Sequence, residues 1–300
     1  MKLLITGAYN CGNEQLNKIR NLGHDVIFMQ QENGELPCAA ESIEGVICNG
    51  LFLHHDIEKF KALKYIQLTS AGFDRVPMDY VNTHGIEIYN ARGVYSVPMA
   101  EFAISGVLQL YKQSKFFYNN QINRKWEKSR SLLELNGKTA LIVGCGSVGN
   151  EVAKRLTAFN VKVFGVDLFT RKDDLYSEIY PLEQLKEVLP RFDIIVLTLP
   201  LTDKTKGMFD KECFDLMKDS GVLVNIARGA VVDEKSMIDA LDSKLLGAVL
   251  DVFEEEPLSQ LSPLWEKENV ILTPHNSFVG DGNIERLNVL VLRNLSEYDK

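Results

Sequence analysis

The sequence has no hydrophobic run long enough to cross a bilayer and no surplus of basic residues. Its apolar runs are strand length, far short of the ~20 residues of a membrane helix, and MKLLITGAYN reaches polar residues too early for a signal peptide. Thirty-three Lys and Arg stand against 41 Asp and Glu, a net charge of −8. No window mixes basic and aromatic residues as nucleic-acid sites do. We therefore expect a cytoplasmic protein without a nucleic-acid or membrane partner.

Regular cysteine spacing is also missing. The five cysteines are odd in number and contain no C-x-x-C pair, so they favour neither a disulfide nor a zinc framework. His54 and His55 are adjacent, but no third ligand lies at metal spacing, and neighbouring side chains on an extended segment point apart. We expect reduced cysteines and no metal.

What the sequence does contain is a regular alternation of short apolar runs with helical patterns. Such alternation predicts a parallel sheet covered by helices, and continuously apolar runs predict strands buried on both faces. The alternation starts twice, near Leu3 and near Thr139, so the 300 residues predict two doubly wound α/β domains. The runs are 3–6, 25–29, 45–48, 65–69, 139–144, 161–166, 193–199, 221–226 and 247–253.

Two long helical patterns mark the crossings between the domains. Apolar residues recur every three or four positions over 97–126, which predicts one long helix, and again over 282–300, a terminal helix that we expect to return to the first domain. The predicted organisation is a flavodoxin-like substrate domain, 1–96 and 278–300, with a Rossmann nucleotide domain, 97–277, inserted. A ligand cleft is expected where the two crossings meet.

The segment TALIVGCGSVGNEVAKRL has the G-x-G-x-x-G spacing between a strand and a helix. Gly144 would make the tight turn, Gly146 would let the backbone approach a pyrophosphate, and Gly149 would let the helix pack on the sheet. Asp167 ends the next strand, where a carboxylate accepts hydrogen bonds from an adenine ribose and repels a 2′-phosphate. Arg171 and Lys172 follow and are able to neutralise such a phosphate. The pattern favours NAD(H) over NADP(H).

Three further polar residues follow predicted strands of the nucleotide domain: Arg228, Glu256 and His275. Parallel strands present their carboxyl ends at one edge, where open α/β sheets bind ligands. A guanidinium grips a carboxylate with two parallel hydrogen bonds, and an imidazole exchanges a proton near neutral pH. A carboxylate beside the imidazole favours its charged form and selects its tautomer. Together they predict binding of an anionic substrate and acid/base chemistry.

The chain resembles the D-2-hydroxyacid dehydrogenase family over nearly its whole length. The similar segments, in family order, are SAGFD, MAE, GCGSVG, LPLTDKTKGMF, NIARGAVVDE, LDVFEEEP, PLW and TPH. The resemblance implies that Arg228 binds the substrate carboxylate and carbonyl oxygen, that Glu256 pairs with His275, and that His275 is the acid/base. It further implies substrate contacts at Ala71 and Gly72, and cofactor contacts at Ser147, Val148, Leu199, Pro200, Thr205, Ile226, Ala227, Arg228, Asp251 and His275, with Asp251 near the nicotinamide amide.

Two features of the sequence bear on the substrate class. The loop CNGLFLHHD, 48–56, contains no arginine, whereas phosphoglycerate-specific relatives carry arginines here, so an unphosphorylated 2-oxo acid is favoured. Phe52 and Phe278 are candidates for the side of the pocket that holds the R group, although both would equally serve as packing residues.

Two further expectations concern partners. Phe116, Phe117, Tyr118 and Trp126 make the 97–126 helix unusually aromatic, and in the family this region forms a two-fold contact, which predicts a homodimer. The alternative to an enzyme is a dinucleotide-sensing binding protein, like the corepressor branch of the family. No peptide-binding appendage or regulatory domain is evident in the sequence to favour it.

Overall fold

The structure is a computed structural model that describes residues 1–298. It divides into two compact units, Met1–Tyr95 with Gly280–Lys300 (unit 1) and Ser96–Val279 (unit 2). Each unit is built around its own parallel sheet, five strands in unit 1 and seven in unit 2. The predicted fold class, two doubly wound parallel-sheet domains, is confirmed.

Unit 1 has the strand order β2-β1-β3-β4-β5, which is the flavodoxin-like order. The terminal helix α9 packs on this sheet: Leu287, Val291 and Leu295 are buried together with Leu3 and Ile5. The C-terminal helix therefore belongs to the first unit. The elements are β1 Lys2–Thr6, α1 Asn13–Asn21, β2 Asp25–Met29, β3 Gly45–Cys48, β4 Tyr65–Leu68, α2 Met78–His84, β5 Glu87–Tyr89 and α9 Asn283–Tyr298.

Unit 2 has the strand order β12-β11-β10-β9-β6-β7-β8. Counted within the unit, β6 is the first strand, and the order extends the Rossmann pattern by one strand at the β12 edge. The elements are α3 Ser96–Tyr111, α4 Ser114–Ile122, β6 Thr139–Val143, α5 Ser147–Ala158, β7 Lys162–Asp167, β8 Ile179–Pro181, α6 Leu185–Val188, β9 Ile194–Leu197, α7 Lys211–Leu216, β10 Val222–Asn225, α8 Glu234–Ser243, β11 Gly247–Leu250 and β12 Val270–Leu272.

The predicted single helix over 97–126 is wrong. The helix breaks after Tyr111 because Gln113 adopts a left-handed conformation with φ of 50°. The carbonyl of Tyr111 accepts a hydrogen bond from the Leu133 backbone N–H at 3.0 Å instead of continuing the helical ladder. The second helix ends at Ile122, and Arg124 is again left-handed. The hydrogen bond from Leu133, about twenty residues away, therefore accompanies a break in a helix whose apolar pattern is continuous in the sequence.

The sequence also missed β5 and β8, which have three residues each and lie at sheet edges. Three residues are too few to show the hydrophobic pattern that predicts a strand. No helix within residues 1–298 has both the length and the apolar character needed to cross a membrane.

Candidate active site

The residues predicted to bind the cofactor lie after the carboxyl ends of six strands of the unit 2 sheet. Chain order reverses between β6 and β9, which are neighbours in the sheet. In open α/β sheets, ligands bind at this reversal. The residues that follow the strands are Gly144–Gly149 after β6, Asp167 ending β7, Leu199–Thr205 after β9, Ile226–Arg228 after β10, Asp251 after β11 and His275 after β12.

The three glycines of the loop after β6 meet different constraints. Gly144 has φ of 100°, and a Cβ there would lie 2.7 Å from the Leu199 backbone nitrogen. A Cβ on Gly149 would lie 2.3 Å from the Gly144 carbonyl oxygen, so α5 packs directly on the loop. A Cβ on Gly146 would meet nothing within 4 Å. The loop thus leaves open space beside Gly146 at the N-terminus of α5, and helix N-termini favour the binding of phosphate groups.

Two side chains, one at the end of β7 and one just after it, bind the backbone of Cys145, the residue between the first two glycines. Asp167 accepts the Cys145 N–H at 2.7 Å. Arg171 donates to the Cys145 carbonyl at 2.7 Å and pairs with Asp173 at 3.2 Å. Sequence reasoning considered Arg171 only as a phosphate ligand and missed that it supports the glycine-rich loop.

The turn after β9 is held together by Thr205. Its hydroxyl donates to the Pro200 carbonyl at 2.7 Å and accepts the Thr202 N–H at 2.8 Å. Thr205 and Leu199 are both buried. Ile226 and Ala227 are buried as well, directly after β10. These residues give the edge of the sheet an apolar wall. Their contacts with the cofactor are predicted from the sequence.

The structure brings Glu256 and His275 into contact. Glu256 Oε2 lies 2.8 Å from His275 Nδ1, and its Oε1 accepts the Phe253 N–H at 3.1 Å. Both side chains remain partly exposed, 36% for Glu256 and 41% for His275. With Nδ1 directed at the carboxylate, Nε2 is the ring nitrogen left for a substrate. This is the geometry that an acid/base pair requires.

Arg228 lies half-buried on the loop after β10, and its Nη1 donates to the Ala227 carbonyl at 2.7 Å. The next residue, Gly229, packs against the loop that carries Glu256. A Cβ on Gly229 would lie 1.8 Å from the Phe253 carbonyl carbon and oxygen. The arginine loop and the Glu256 loop therefore touch through backbone atoms, which only glycine permits.

Asp251 is completely buried, and its carboxylate is surrounded by donors from residues 273–277. It accepts from the Thr273 hydroxyl at 2.7 Å and from the N–H groups of Asn276 and Ser277 at 2.7 and 2.9 Å. Sequence reasoning assigned Asp251 to the nicotinamide amide and missed these partners. The only signal in the sequence was an aspartate that directly follows a buried strand.

Phe278 lies beside the histidine: the two rings are 6.2 Å apart in an edge-to-face arrangement. The other predicted substrate residues belong to unit 1. Asn90 donates to the Ala71 carbonyl at 2.7 Å, and Ser70 donates to the Gly72 carbonyl at 3.1 Å. Phe52 packs edge-to-face on Phe60 at 5.7 Å, which is what a packing residue would do.

One titratable group of the glycine-rich loop has a shifted pKa. Burial raises the pKa of the Cys145 thiol to about 12, and the negative charge of Asp167 adds to the effect. Burial therefore favours the protonated form of this thiol. Among residues 1–298, no three His, Cys, Asp or Glu side chains come together as a metal site would require.

Comparison with known proteins identifies the class to which this fold and site belong. The family model of the D-isomer specific 2-hydroxyacid dehydrogenase NAD-binding domain matches residues 104–277. The chain belongs to this family, and it carries the family's NAD-binding domain.

Individual relatives have different substrates in their names. The D-3-phosphoglycerate dehydrogenase of Methanocaldococcus jannaschii is 33% identical over 270 residues, 85% of this chain and 51% of that protein. The glyoxylate reductase of Pyrococcus furiosus is 36% identical over 256 residues, 81% of this chain and 75% of that protein. The chain spans only 42% and 51% of two D-3-phosphoglycerate dehydrogenases that it matches.

A solved structure resembles the whole chain. The D-lactate dehydrogenase of Aquifex aeolicus, complexed with NAD and lactic acid, has a TM-score of 0.79 and 26% sequence identity. The match covers 99% of this chain and 95% of that one. The resemblance to the D-2-hydroxyacid dehydrogenases is confirmed over both units.

Proposed function

We propose that the protein is an NAD-dependent oxidoreductase that interconverts a small unphosphorylated 2-oxo acid and the corresponding D-2-hydroxy acid. The observation that carries this proposal is the Glu256–His275 pair at 2.8 Å, on the same sheet edge as the glycine-rich loop. A dinucleotide sensor needs the loop but does not require an acid/base pair. NAD(H), when bound, supplies or accepts the hydride at the substrate carbon.

The chain's own residues supply the proton and the anion contacts. In reduction, protonated His275 gives its Nε2 proton to the carbonyl oxygen and becomes neutral, while Nδ1–H stays with Glu256. Arg228 binds the substrate carboxylate and offsets the negative charge that develops on the oxygen. In oxidation, neutral His275 takes the hydroxyl proton. The family resemblance predicts the N–H groups of Ala71 and Gly72 as further donors to the carboxylate.

The unphosphorylated substrate is supported by the charges around the loop 48–56. The Glu32 carboxylate accepts the N–H groups of Asn49 and Gly50, both at 2.7 Å, which places a negative charge at the base of the loop. Arg75 is the cation that the sequence pattern did not indicate: its Cδ would lie 3.8 Å from a Cβ on Gly50. The Glu32 charge disfavours a phosphate at this loop and the Arg75 cation would favour one, so the Arg75→Ala variant tests the neutral R group.

The decisive experiment is NADH oxidation by the purified protein with a panel of 2-oxo acids. Glyoxylate, pyruvate, 2-oxoisocaproate and phenylpyruvate test R-group size, and 3-phosphohydroxypyruvate tests the phosphate. We expect turnover of at least one neutral substrate near or above ~1 s⁻¹. NADH binding without turnover of any substrate would contradict the proposal. If the wild-type protein prefers 3-phosphohydroxypyruvate and Arg75→Ala loses this preference, the neutral R group is contradicted. The proposed reaction class is then unaffected.

We also propose that the protein is a homodimer that associates through α4 and the segment after it. Tyr118, Ile122 and Trp126 are 62%, 60% and 97% exposed. Monomeric proteins rarely expose so many large apolar side chains on one short segment. We expect a dimer by light scattering at micromolar concentration, and a monomer for the double variant Ile122→Glu, Trp126→Glu. A monomeric wild-type protein would contradict this proposal without affecting the catalytic one.

A further inference from the structure

The segment that follows β7 carries two cations, Arg171 and Lys172, shortly after Asp167. The adenine ribose of the cofactor is expected to bind at Asp167, whose charge repels a 2′-phosphate. An arginine free to move beside that ribose would instead bind the 2′-phosphate of NADP, because a guanidinium pairs with phosphate through two parallel hydrogen bonds. The choice between NAD and NADP therefore depends on where the Arg171 side chain is held.

The Arg171 guanidinium is bound to the glycine-rich loop and its surroundings through one nitrogen, Nη2. This nitrogen donates to the Cys145 carbonyl at 2.7 Å and lies 3.2 Å from Asp173 Oδ2 and 3.5 Å from Asn150 Oδ1. The two pairs of parallel N–H groups that a guanidinium presents, Nε with Nη2 and Nη1 with Nη2, both include Nη2. Arg171 thus has to leave the loop before it binds a phosphate through two hydrogen bonds.

Asp173 is the charged member of this set, since the Cys145 carbonyl and the Asn150 amide are neutral. Its side chain is itself fixed, because Oδ1 accepts the Leu175 N–H at 3.1 Å. Only 20% of the Asp173 side chain is exposed, against 39% for Arg171. A fixed carboxylate therefore holds a more exposed cation and offsets its positive charge.

We propose that Asp173 is a specificity-determining residue that disfavours NADP by keeping Arg171 on the glycine-rich loop. Asp167 repels the 2′-phosphate, and Asp173 withholds the cation that would offset this repulsion. The inference goes beyond the proposed function and does not rest on the Glu256–His275 pair. It concerns the binding of the cofactor, whichever oxo acid the protein reduces.

Binding of NADH and NADPH to the purified protein, without oxo acid, tests the inference. Asp173→Asn keeps the shape of the side chain and the acceptor for the Leu175 N–H, but it removes the charge that pairs with Arg171. We expect NADPH to bind about five- to tenfold more tightly to this variant, since a charge-assisted hydrogen bond contributes about that factor. The Kd for NADH should change less than twofold. Fluorescence titration gives both constants.

Asp174→Asn is the charge-matched control. Asp174 is the exposed neighbour of Asp173, so its variant has the same net charge as Asp173→Asn and leaves the Arg171–Asp173 pair intact. Its Kd for NADPH should stay within about twofold of the wild-type value. An equal gain in both variants would overturn the inference, because the net charge of the segment would then explain the gain.

The double variant Arg171→Ala, Asp173→Asn tests whether the gain passes through Arg171. We expect its affinity for NADPH to match that of Arg171→Ala within about twofold, because coupled positions are not additive. A full gain in the double variant would mean that another cation, such as Lys172, binds the phosphate. Equal affinity of the wild-type protein for NADH and NADPH would also overturn the inference.

Asp173→Ser is a second variant in case Asp173→Asn folds poorly. A serine hydroxyl also accepts the N–H two residues further on, so the turn to Leu175 is kept while the charge is removed. The same gain in NADPH affinity is expected, and an unchanged Kd for NADPH in a folded variant would overturn the inference. If the wild-type protein binds NADH but reduces no oxo acid, the proposed function fails and these titrations still decide the role of Asp173.

Discussion

The two ends of the unit 2 sheet edge are built in opposite ways. At the nucleotide end, Gly144, Gly146 and Gly149 keep side chains out of a tight loop. At the end that carries His275, a buried aspartate and an exposed glutamate hold the chain through side-chain hydrogen bonds. The first end depends on side chains that glycine lacks, with Asp167 and Arg171 binding the loop backbone, whereas at the second end side chains bind the turn that carries His275 from segments 19 to 26 residues away. Changes at the first end should affect cofactor binding, and changes at the second should affect turnover.

The largest effect should come from removing the proton donor. His275→Ala should lower kcat by about 10²–10⁴-fold, the usual contribution of general acid/base catalysis, with NADH affinity changed less than threefold. Steady-state kinetics and fluorescence titration measure the two quantities. His84→Ala, which removes an exposed histidine of α2 in unit 1, is the matched control and should retain full activity. A loss below tenfold would place the acid/base elsewhere.

The next effect concerns the contact between the Arg228 loop and the Glu256 loop. Gly229→Ala places a Cβ 1.8 Å from the Phe253 carbonyl, so backbone atoms must move. We expect a loss of about 3 kcal/mol or more in the free energy of unfolding, because overpacking against backbone exceeds the usual 1–3 kcal/mol. Chemical denaturation measures it. Wild-type stability and activity in Gly229→Ala would show that the two loops need not touch.

Gly146→Ala is the corresponding change at the nucleotide end. Its Cβ meets nothing within 4 Å, and Gly146 has an ordinary φ of −82°, so the protein should fold with nearly unchanged stability. The methyl group occupies the space that a pyrophosphate approaches, and we expect about tenfold weaker NADH binding. Isothermal titration gives the dissociation constant. Unaltered affinity would mean that the phosphates bind elsewhere along the edge.

The smallest effect concerns the low reactivity of the Cys145 thiol. Burial raises the pKa of this thiol to about 12, whereas an unfolded cysteine titrates near ~8.5. The folded state therefore favours the protonated thiol, and its contribution to stability is complete below about pH 8.5 and is lost as pH rises toward 12. At pH 8, iodoacetamide should label half-buried Cys38 and leave Cys145 unmodified, as peptide mass spectrometry would show. Equal labelling would contradict the protected loop.

Most of the nucleotide end could be predicted because its chemistry is local. The glycine spacing lies within six residues, and Asp167 ends the adjacent strand of the sheet. The fold class followed from the same kind of signal, since buried parallel strands are continuously apolar. The helix over 97–126 was predicted wrongly because its break depends on a hydrogen bond from Leu133, which no helical period contains.

The sequence by itself determined which side chains are available: a glycine-rich loop, a strand-end aspartate, and one Arg, Glu and His after neighbouring strands. Each of these is a property of composition and short-range spacing. Only the tertiary structure decided that Asp251 bonds the turn around His275, that Glu256 reaches the histidine ring at 2.8 Å, and that Arg171 supports the loop beside it. The reason is geometric: hydrogen bonds act over about 3 Å, and the pairing of β11 with β12 and of β6 with β7 brings the segments that follow these strands to that separation.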